Sequence, residues 1–190
     1  MQVAKPSKQI LNKVVFALEK RRVVICSTDT VYGFLADASN KKAVEKIYKI
    51  KKRPRSKPLA VFVKDLKMAK ELAEIDEEQE KMLKKYWPGE YTFILKRKKE
   101  IRLFDRAKNT IALRIPKYKF LNDLLKKINK PLAQTSVNIS GQEPLIKSEK
   151  IIKQFQKTED LLFIDAGNLP KKKPSAIMDL TKDNIKILRK

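Results

Sequence analysis

The sequence predicts an α/β fold in which helices pack against one mixed β-sheet. Apolar runs of strand length alternate with stretches whose apolar residues recur at helical spacing, and several strand-like runs follow one another directly. The chain has 190 residues, of which 42% are apolar, enough to build a hydrophobic core. Neither an internal repeat nor a Gly/Ser-rich linker divides it, so we expect a single domain over residues 1–190.

The helices are predicted from capping residues and from apolar side chains at helical spacing. The capping residues are, in chain order, Ser7, Asn40, Asp65 and the pair Asp76 and Gln79, which has the spacing of a capping box. The helix after Asp76 should end before the Trp-Pro-Gly sequence at 87–89. Two later helices, over 120–128 and near 151–155, are predicted from spacing alone.

The strands are predicted from short apolar runs bounded by polar turns. These runs lie, in chain order, at 23–26, 31–34, 59–63, 91–95, 110–115 and 132–136, and near Leu161, Ala176 and Ile185. The first run, Val-Val-Ile-Cys, is apolar throughout and indicates a buried strand. The order of the strands in the sheet does not follow from the sequence.

Missing residue types exclude several kinds of site. Histidine is absent, which excludes Ser-His-Asp and Cys-His catalysis and histidine metal ligands. The single cysteine, Cys26, excludes a disulfide framework and a cysteine-based zinc cluster, and it suits a reducing compartment. Any metal must therefore bind oxygen atoms of protein or substrate, which points to Mg²⁺.

The apolar run at 14–18 is too short for a signal core, and no run has transmembrane length, so we expect a soluble, cytoplasmic protein that binds no membrane.

The formal charge of +23 has two interpretations. It can mark a surface that attracts polyanions such as RNA or nucleotide phosphates. Alternatively, exposed positions are simply filled with lysine, because the 36 lysines and 9 arginines are spread along the whole chain. The charge permits a nucleic-acid partner without demonstrating one.

Four polar turns next to predicted strands are the candidate ligand-binding segments, at 27–33, 51–59, 135–141 and 174–179. Each contains hydroxyl-bearing or cationic side chains, and ligands of α/β proteins gather at the ends of strands. The four glycines of the chain form neither a P-loop nor a dinucleotide-binding fingerprint. If the protein binds ATP, side-chain cations and hydroxyls must replace a glycine-rich backbone loop.

Seven short blocks in the order found here resemble the YrdC-type threonylcarbamoyl-AMP synthases. They are TDTVYG at 28–33, KKRP at 51–54 with KPL at 57–59, WPG at 87–89 with Thr92, TIALRIP at 110–116, SVNISG at 136–141, PSAI at 174–177 and ILR at 187–189. The resemblance covers the chain from about Val14 to Arg189, as a short, single-domain form of the family. One block alone would not be specific, but seven in order are.

The resemblance implies a fold and a reaction. The fold is a YrdC-like twisted mixed β-sheet with packed helices around a large basic concave cavity. In the reaction, L-threonine, bicarbonate or CO₂, and ATP give threonylcarbamoyl-AMP and pyrophosphate, for a modified adenosine of transfer RNA. The cofactor implied is Mg²⁺, held by the ATP phosphates and by no protein ligand. Further proteins would complete the transfer to tRNA.

The resemblance also implies which residues bind each substrate. The ATP-binding residues would be Lys51, Arg53, Lys57, Thr110, Ser136, Asn138 and Arg189. The threonine-binding residues would be Thr30, Arg114 and Ser175. A bidentate arginine suits an amino-acid carboxylate, which favours this role for Arg114. Asn138 could equally bind ligand or hold its own turn, whereas Tyr32 and Trp87 are expected to serve in packing.

One departure from the family pattern bears on the threonine site. Phe62 stands where relatives often carry a histidine near the threonine, so that contact is either lost or replaced by packing. The alternative function is a non-catalytic RNA-binding protein, for tRNA or double-stranded RNA. It accounts for the charge but gives no reason for the spacing of Lys51, Arg53 and Lys57.

Overall fold

The computed structural model describes residues 1–105, 107–182 and 185–189. The strands are β1 (Gln2–Ala4), β2 (Val23–Ser27), β3 (Tyr32–Asp37), β4 (Ala60–Phe62), β5 (Ala73–Glu74), β6 (Tyr91–Arg97), β7 (Thr110–Arg114), β8 (Leu132–Ser136), β9 (Leu161–Ile164), β10 (Ala176–Asp179) and β11 (Lys186–Arg189). The helices are α1 (Ile10–Glu19), α2 (Lys41–Lys51), α3 (Leu66–Leu72), α4 (Glu77–Tyr86), α5 (Lys119–Ile128) and α6 (Ser148–Phe155).

The strands form one mixed sheet in the order β1-β9-β2-β3-β8-β4-β7-β6-β10-β11, with β5 added beside β6. β9 lies parallel to both β1 and β2, and the pairs β4 with β7 and β6 with β10 are also parallel. The remaining pairs are antiparallel. The predicted α/β class with a mixed sheet is therefore confirmed.

Alternate residues of the central strands divide between two apolar clusters, one on each face of the sheet. In β2, Val23 and Ile25 belong to one cluster, whereas Val24 and Cys26 belong to the other. The first cluster includes buried residues of α2, α3, α4 and α6, and the second those of α1 and α5. Helices thus cover both faces, which is why the strand β2 is apolar throughout.

The predicted capping residues are in place. Asn40 Oδ1 accepts from Ala43 N at 3.2 Å, Asp65 Oδ1 accepts from Met68 N at 2.8 Å, and Asp76 forms the full capping box with Gln79. Ser7 Oγ accepts from Ile10 N at 3.3 Å where α1 begins. The last helix begins at Ser148, before the predicted start, because its first amide donates to Asn168 Oδ1 at 3.1 Å, a partner twenty residues away.

Two strands were not predicted from the sequence. β1 has three residues, two of them exposed, and β5 has only two residues, one buried and one exposed, so neither leaves an apolar run. β1 is held by β9, about 160 residues later in the chain. β6 extends to Arg97, beyond the predicted end at 95, because Lys96 and Arg97 pair with β5.

The sheet curls around a cavity on the face that α1 and α5 also cover. Residues of β3, β8, β4, β7, β6, β10 and β11, which are neighbours in the sheet, line a single cavity of about 370 Å³. Seven strands in a flat sheet would span roughly 29 Å at about 4.8 Å per strand, too far to enclose such a volume. The curvature brings strands from distant parts of the sequence to one site.

The connection from β9 to β10, residues 165–175, runs from a strand near one edge of the sheet to a strand near the opposite edge. β9 and β10 are seven strand positions apart, which is roughly 34 Å along a flat sheet. Eleven residues reach at most about 36–40 Å, so the segment must take a direct course between the two rims of the curled sheet. We call residues 165–175 the strap. Its last residues, Pro174 and Ser175, line the cavity.

Candidate functional site

The structure brings all ten sequence-predicted site residues to the lining of this one cavity. They are Thr30, Lys51, Arg53, Lys57, Thr110, Arg114, Ser136, Asn138, Ser175 and Arg189. Thr110 and Arg114 stand on β7, Ser136 ends β8, and Arg189 is on β11. The described lining residues include five cations and neither aspartate nor glutamate.

Lys51, the last residue of α2, holds the loop that follows β8. Its ammonium donates to Asn138 Oδ1 at 2.6 Å and to the carbonyl of Ser136 at 2.7 Å, with Ser136 Oγ and the Asn138 carbonyl at 3.4 and 3.3 Å. The side chain is buried, and no carboxylate is among these partners. Burial, together with the charge of Arg53, lowers the pKa of Lys51 to about 7.

Asn138 holds its own turn, which is one of the two roles left open for it. Its Oδ1 accepts from both Lys51 and Ser136 Oγ, and its Nδ2 donates to the carbonyls of Ile139 and Gln142 at 2.9 and 2.6 Å. Every polar atom of the amide therefore has a partner inside the protein. Asn138 shapes the cavity wall by fixing the loop.

Arg53 organises the basic loop at 51–58. Its Nε donates to the carbonyl of Lys57 at 3.0 Å and its Nη2 to the carbonyl of Pro58 at 2.8 Å, and the guanidinium lines the cavity. The Lys57 side chain is exposed, and its ammonium has no hydrogen-bond or ion-pair partner among the described residues. Arg53 and Lys57 are therefore cations for which the structure describes no carboxylate partner, whereas Arg55 of the same loop pairs with a glutamate of α2.

Arg114, the last residue of β7, is buried and paired. Its side chain is 2% exposed and forms an ion pair through Nη2 with Asp29, whose side chain is 7% exposed. Its Nε donates to the carbonyl of Gly89 at 2.9 Å, and its Nη1 lies 3.5 Å from Thr30 Oγ1. Sequence reasoning missed Asp29, although it lies inside the TDTVYG block, because its partner is 85 residues away.

Phe62 packs where relatives often carry a histidine. It is fully buried in the cluster beneath α1 and α5, and the Arg114 guanidinium lies over its ring, 5.7 Å from the centroid. This is a cation–π contact, so Phe62 packs against the arginine through its ring.

Hydroxyl groups and Arg189 form the third part of the lining. Ser175 Oγ lies 2.9 Å from Thr92 Oγ1, and both side chains are buried. Arg189 donates through Nε to the Ser175 carbonyl at 2.8 Å and through Nη2 to Ser175 Oγ at 3.3 Å. The last described strand therefore fixes the end of the strap. Thr92 is in a recognised block, but no role was predicted for it.

Two groups of contacts tie the strap to the cavity. At its start, Tyr32 Oη donates to the Gly167 carbonyl at 2.6 Å and accepts from Ala166 N at 3.0 Å, while the ring packs edge-on against Phe163. Farther along, Lys172 Nζ donates to the Asp29 carbonyl at 3.1 Å and to Glu90 at 2.9 Å. Tyr32 packs as predicted, but it also anchors the strap.

Trp87 packs as expected. It is 8% exposed, its ring lies edge-on to Phe93 at 5.4 Å between centroids, and its indole N–H donates to the Tyr91 carbonyl at 2.8 Å. These contacts fix the turn at 87–89 whose Gly89 carbonyl accepts from Arg114.

The positive charge of the cavity as a whole remains a prediction. Asp29 compensates Arg114, and a pKa of about 7 leaves Lys51 partly neutral near pH 7. The described residues contain no group of three or more Asp, Glu, Cys or His side chains placed to hold a metal ion. Within the same residues, no helix is both long and apolar enough to cross a membrane.

Comparisons with known proteins place this geometry in a family. The family model for Sua5, YciO and YrdC proteins, described as "Telomere recombination", matches residues 17–190. A Methanocaldococcus jannaschii protein, named provisionally as a threonylcarbamoyl-AMP synthase, is 37% identical over 182 residues, which are 96% of this chain and 86% of the relative. The Escherichia coli protein YciO, named as uncharacterized, is 29% identical over 186 residues, which cover 97% of this chain and 90% of YciO.

Solved structures give the same result. Pyrococcus abyssi Sua5 in complex with L-threonine matches with a TM-score of 0.89 and 27% identity, over 99% of this chain. The chain spans 56% of the length of that protein. The Escherichia coli YciO structure matches with a TM-score of 0.88 and 28% identity, over 100% of this chain and 94% of YciO. The chain described here therefore belongs to the Sua5/YciO/YrdC family.

Proposed function

We propose that this protein is an L-threonylcarbamoyladenylate synthase, a nucleotidyltransferase that forms threonylcarbamoyl-AMP and pyrophosphate from L-threonine, bicarbonate or CO₂, and ATP. The observation that carries the proposal is the cavity, which has two kinds of anion-binding group at different places. Uncompensated cations lie on the 51–58 loop, and a compensated arginine lies at the junction of β7 with the β2–β3 loop. The threonine complex of Pyrococcus abyssi Sua5 and the names of the relatives support the same reaction.

The cations of the 51–58 loop suit the triphosphate. The Arg53 guanidinium and the Lys57 ammonium can each donate to phosphate oxygens, and Lys51 adds a charge when it is protonated. Thr110, Ser136 and Arg189 line the rest of the proposed ATP site. Mg²⁺ would be held by the phosphates, because three-ligand carboxylate groups are missing from the described residues. When bound, the ion would neutralise charge on the phosphate oxygens.

Arg114 suits the threonine carboxylate. Its Nη1 faces the cavity beside Thr30, and both Ser175 and Thr92 add hydroxyls near this end. An amino acid is a zwitterion, and a guanidinium already paired with Asp29 presents donors without adding net charge to the pocket. The two substrates are thus distinguished by the charges that surround them.

The reaction proceeds by positioning and by stabilisation of negative charge. The unprotonated threonine nitrogen forms a bond to the carbon of CO₂ and loses a proton, giving a carbamate. A carbamate oxygen then attacks the α-phosphorus, and the bond from that phosphorus to the bridging oxygen breaks as pyrophosphate leaves. Arginine and lysine donors that face the phosphates stabilise the charge on the leaving group. Neither step requires a histidine, which the chain lacks.

Purified protein is expected to release pyrophosphate from ATP only when L-threonine, bicarbonate and Mg²⁺ are all present. The reason is that the carbamate is the nucleophile and forms only from threonine and CO₂. A coupled pyrophosphate assay, with each component omitted in turn, measures this. Background release with every substrate present, together with tight binding of RNA, would replace the synthase by the RNA-binding alternative.

Arg53→Ala and Lys57→Ala are each expected to weaken ATP binding about tenfold or more, because charged hydrogen bonds to phosphate are lost. Lys171→Ala and Lys173→Ala are matched controls, since both lysines are exposed on the strap and form no described ion pair. Their charges are screened by salt, so a change below about twofold is expected. Lys172 does not serve as a control, because it binds Asp29 and Glu90. Equal losses in all four variants, measured by titration calorimetry, would indicate a diffuse basic surface.

The wider context is part of the proposal. The product is a mixed anhydride, which suits delivery of its threonylcarbamoyl group to an adenosine of tRNA by further proteins in the cytoplasm. The chain would act as one unit over residues 1–190. Direct contact with tRNA would use the lysine-rich surface that gives the net charge of +23.

A further inference from the structure

Asp29 uses both of its carboxylate oxygens to hold groups at the edge of the cavity. Oδ1 accepts from Arg114 Nη2, and Oδ2 accepts from the backbone N–H of Lys117 at 2.9 Å. Its side chain is almost completely buried and is not part of the cavity lining. Asp29 therefore acts on a ligand only through the residues that it holds.

The orientation of Arg114 is set by its partners behind the cavity wall. Asp29 holds Nη2, the Gly89 carbonyl holds Nε, and the Phe62 ring lies beneath the guanidinium plane. These contacts leave Nη1 directed to the lining residue Thr30. A ligand therefore meets a guanidinium whose plane and direction are already fixed, which reduces the entropy lost on binding.

The charge of Asp29 distinguishes the two ends of the cavity. Arg53 and Lys57 have no acidic partner among the described residues, whereas Arg114 is neutralised by a carboxylate in direct contact. Burial, together with the nearby charge of Arg114, lowers the pKa of Arg189, so without Asp29 this end would carry two cations. A polyphosphate carries several negative charges and gains most where cations are uncompensated. An amino acid carries one carboxylate and one ammonium group, so it loses less binding free energy than a polyphosphate does when the cation is paired with a carboxylate. The end with Arg114 therefore favours such a ligand.

We propose that Asp29 is the positioning residue of the amino-acid site: it fixes the Arg114 guanidinium and neutralises its charge, so that this end takes the carboxylate of a zwitterion in preference to phosphate. The inference rests on the proposed function for the identity of the amino acid, and on the structure alone for the preference over phosphate. Two properties follow that can be measured separately, the affinity for L-threonine and the affinity for inorganic pyrophosphate.

Asp29→Asn tests both properties. An amide cannot replace the carboxylate, because one of the two donors, Arg114 Nη2 or Lys117 N, must then face an NH₂ group. Threonine affinity is expected to fall about tenfold or more, while ATP affinity without threonine stays within about twofold. Pyrophosphate affinity should rise severalfold, because Arg114 becomes an uncompensated cation. Titration calorimetry with each ligand gives these values.

Two further variants separate the proposal from a general effect on folding. Asp105→Asn removes the carboxylate from another buried arginine–aspartate pair, with Arg97, which does not line the cavity. It should lower the thermal midpoint and leave all three affinities unchanged. Asp29→Glu keeps the charge but moves the oxygens, so threonine affinity should fall and pyrophosphate affinity stay as in the wild type. If Asp29→Asn does not fold, Asp29→Glu still tests the positioning role through its affinity for threonine.

The outcomes distinguish the two proposals. If Asp29→Asn weakens threonine and ATP equally, as a structural defect would, or leaves pyrophosphate affinity unchanged, the positioning role is wrong. If the wild type binds no threonine but Asp29→Asn gains pyrophosphate affinity, the synthase proposal fails while the neutralising role of Asp29 stands. Loss of threonine affinity with gain of pyrophosphate affinity supports both.

Discussion

Replacing Arg114 by lysine should raise the dissociation constant for L-threonine by one to two orders of magnitude and leave ATP binding without threonine nearly intact. A lysine retains a charge for Asp29 but cannot also donate to the Gly89 carbonyl and present a second donor beside Thr30. Loss of one charged hydrogen bond to a carboxylate costs about 1.5–3 kcal/mol, which gives this range.

The measurement is calorimetric titration of threonine and, separately, of ATP. Arg114→Lys is preferred to Arg114→Ala, because truncation leaves the buried Asp29 without a cation and should cost about 3–5 kcal/mol of stability. Arg102→Lys offers a control outside the cavity lining. The reverse pattern, with ATP lost and threonine retained, would show that this arginine belongs to the ATP site.

Affinity for ATP should fall steeply as the pH rises above 7, by up to about tenfold per pH unit, if Lys51 binds phosphate in its charged form. The sign follows from the lowered pKa of about 7: the free protein loses this proton above pH 7, and binding must then recover it. ATP binding at pH 8 should therefore take up close to one proton, and binding at pH 6 close to none at this residue.

Calorimetry in buffers of different ionisation enthalpy measures the uptake of protons. Lys51→Met should abolish the pH dependence above pH 7 and weaken ATP binding below it. Lys46→Met is a suitable control, since Lys46 is on the same helix but pairs with Asp160 far from the lining residues. An unchanged pH profile in Lys51→Met would mean that Lys51 only holds the loop at 136–138.

Much of the fold was predictable because its signals are local. Asn40, Asp65 and Asp76 cap helices through amides three residues ahead, and such spacing is visible in the sequence. The start of α6 could not be predicted, because its first amide is capped by Asn168 from the strap. β1 was missed for the same reason, since its strand partner lies at the far end of the chain.

The site shows the same division. The ten predicted site residues, all of which line the cavity, came from the resemblance to a family, but the way in which each is held did not. Asn138 and Ser136 are tied to Lys51 across 85 or more residues, and Arg114 is tied to Asp29 across a similar distance. Lys172 in the sequence is one lysine of three, and only the course of the strap shows that it binds Asp29 and Glu90.

The position of β9 between β1 and β2 has a consequence for synthesis of the chain. At about 5–20 residues per second, roughly 7–28 s separate translation of β2 from that of β9. During this time the edge of β2 that β9 will cover stays open, and its Val-Val-Ile-Cys sequence is the kind that pairs with other chains. Three charged residues, Lys20, Arg21 and Arg22, come directly before it. Such charges next to an apolar strand oppose aggregation while the nascent chain waits for its partner strand.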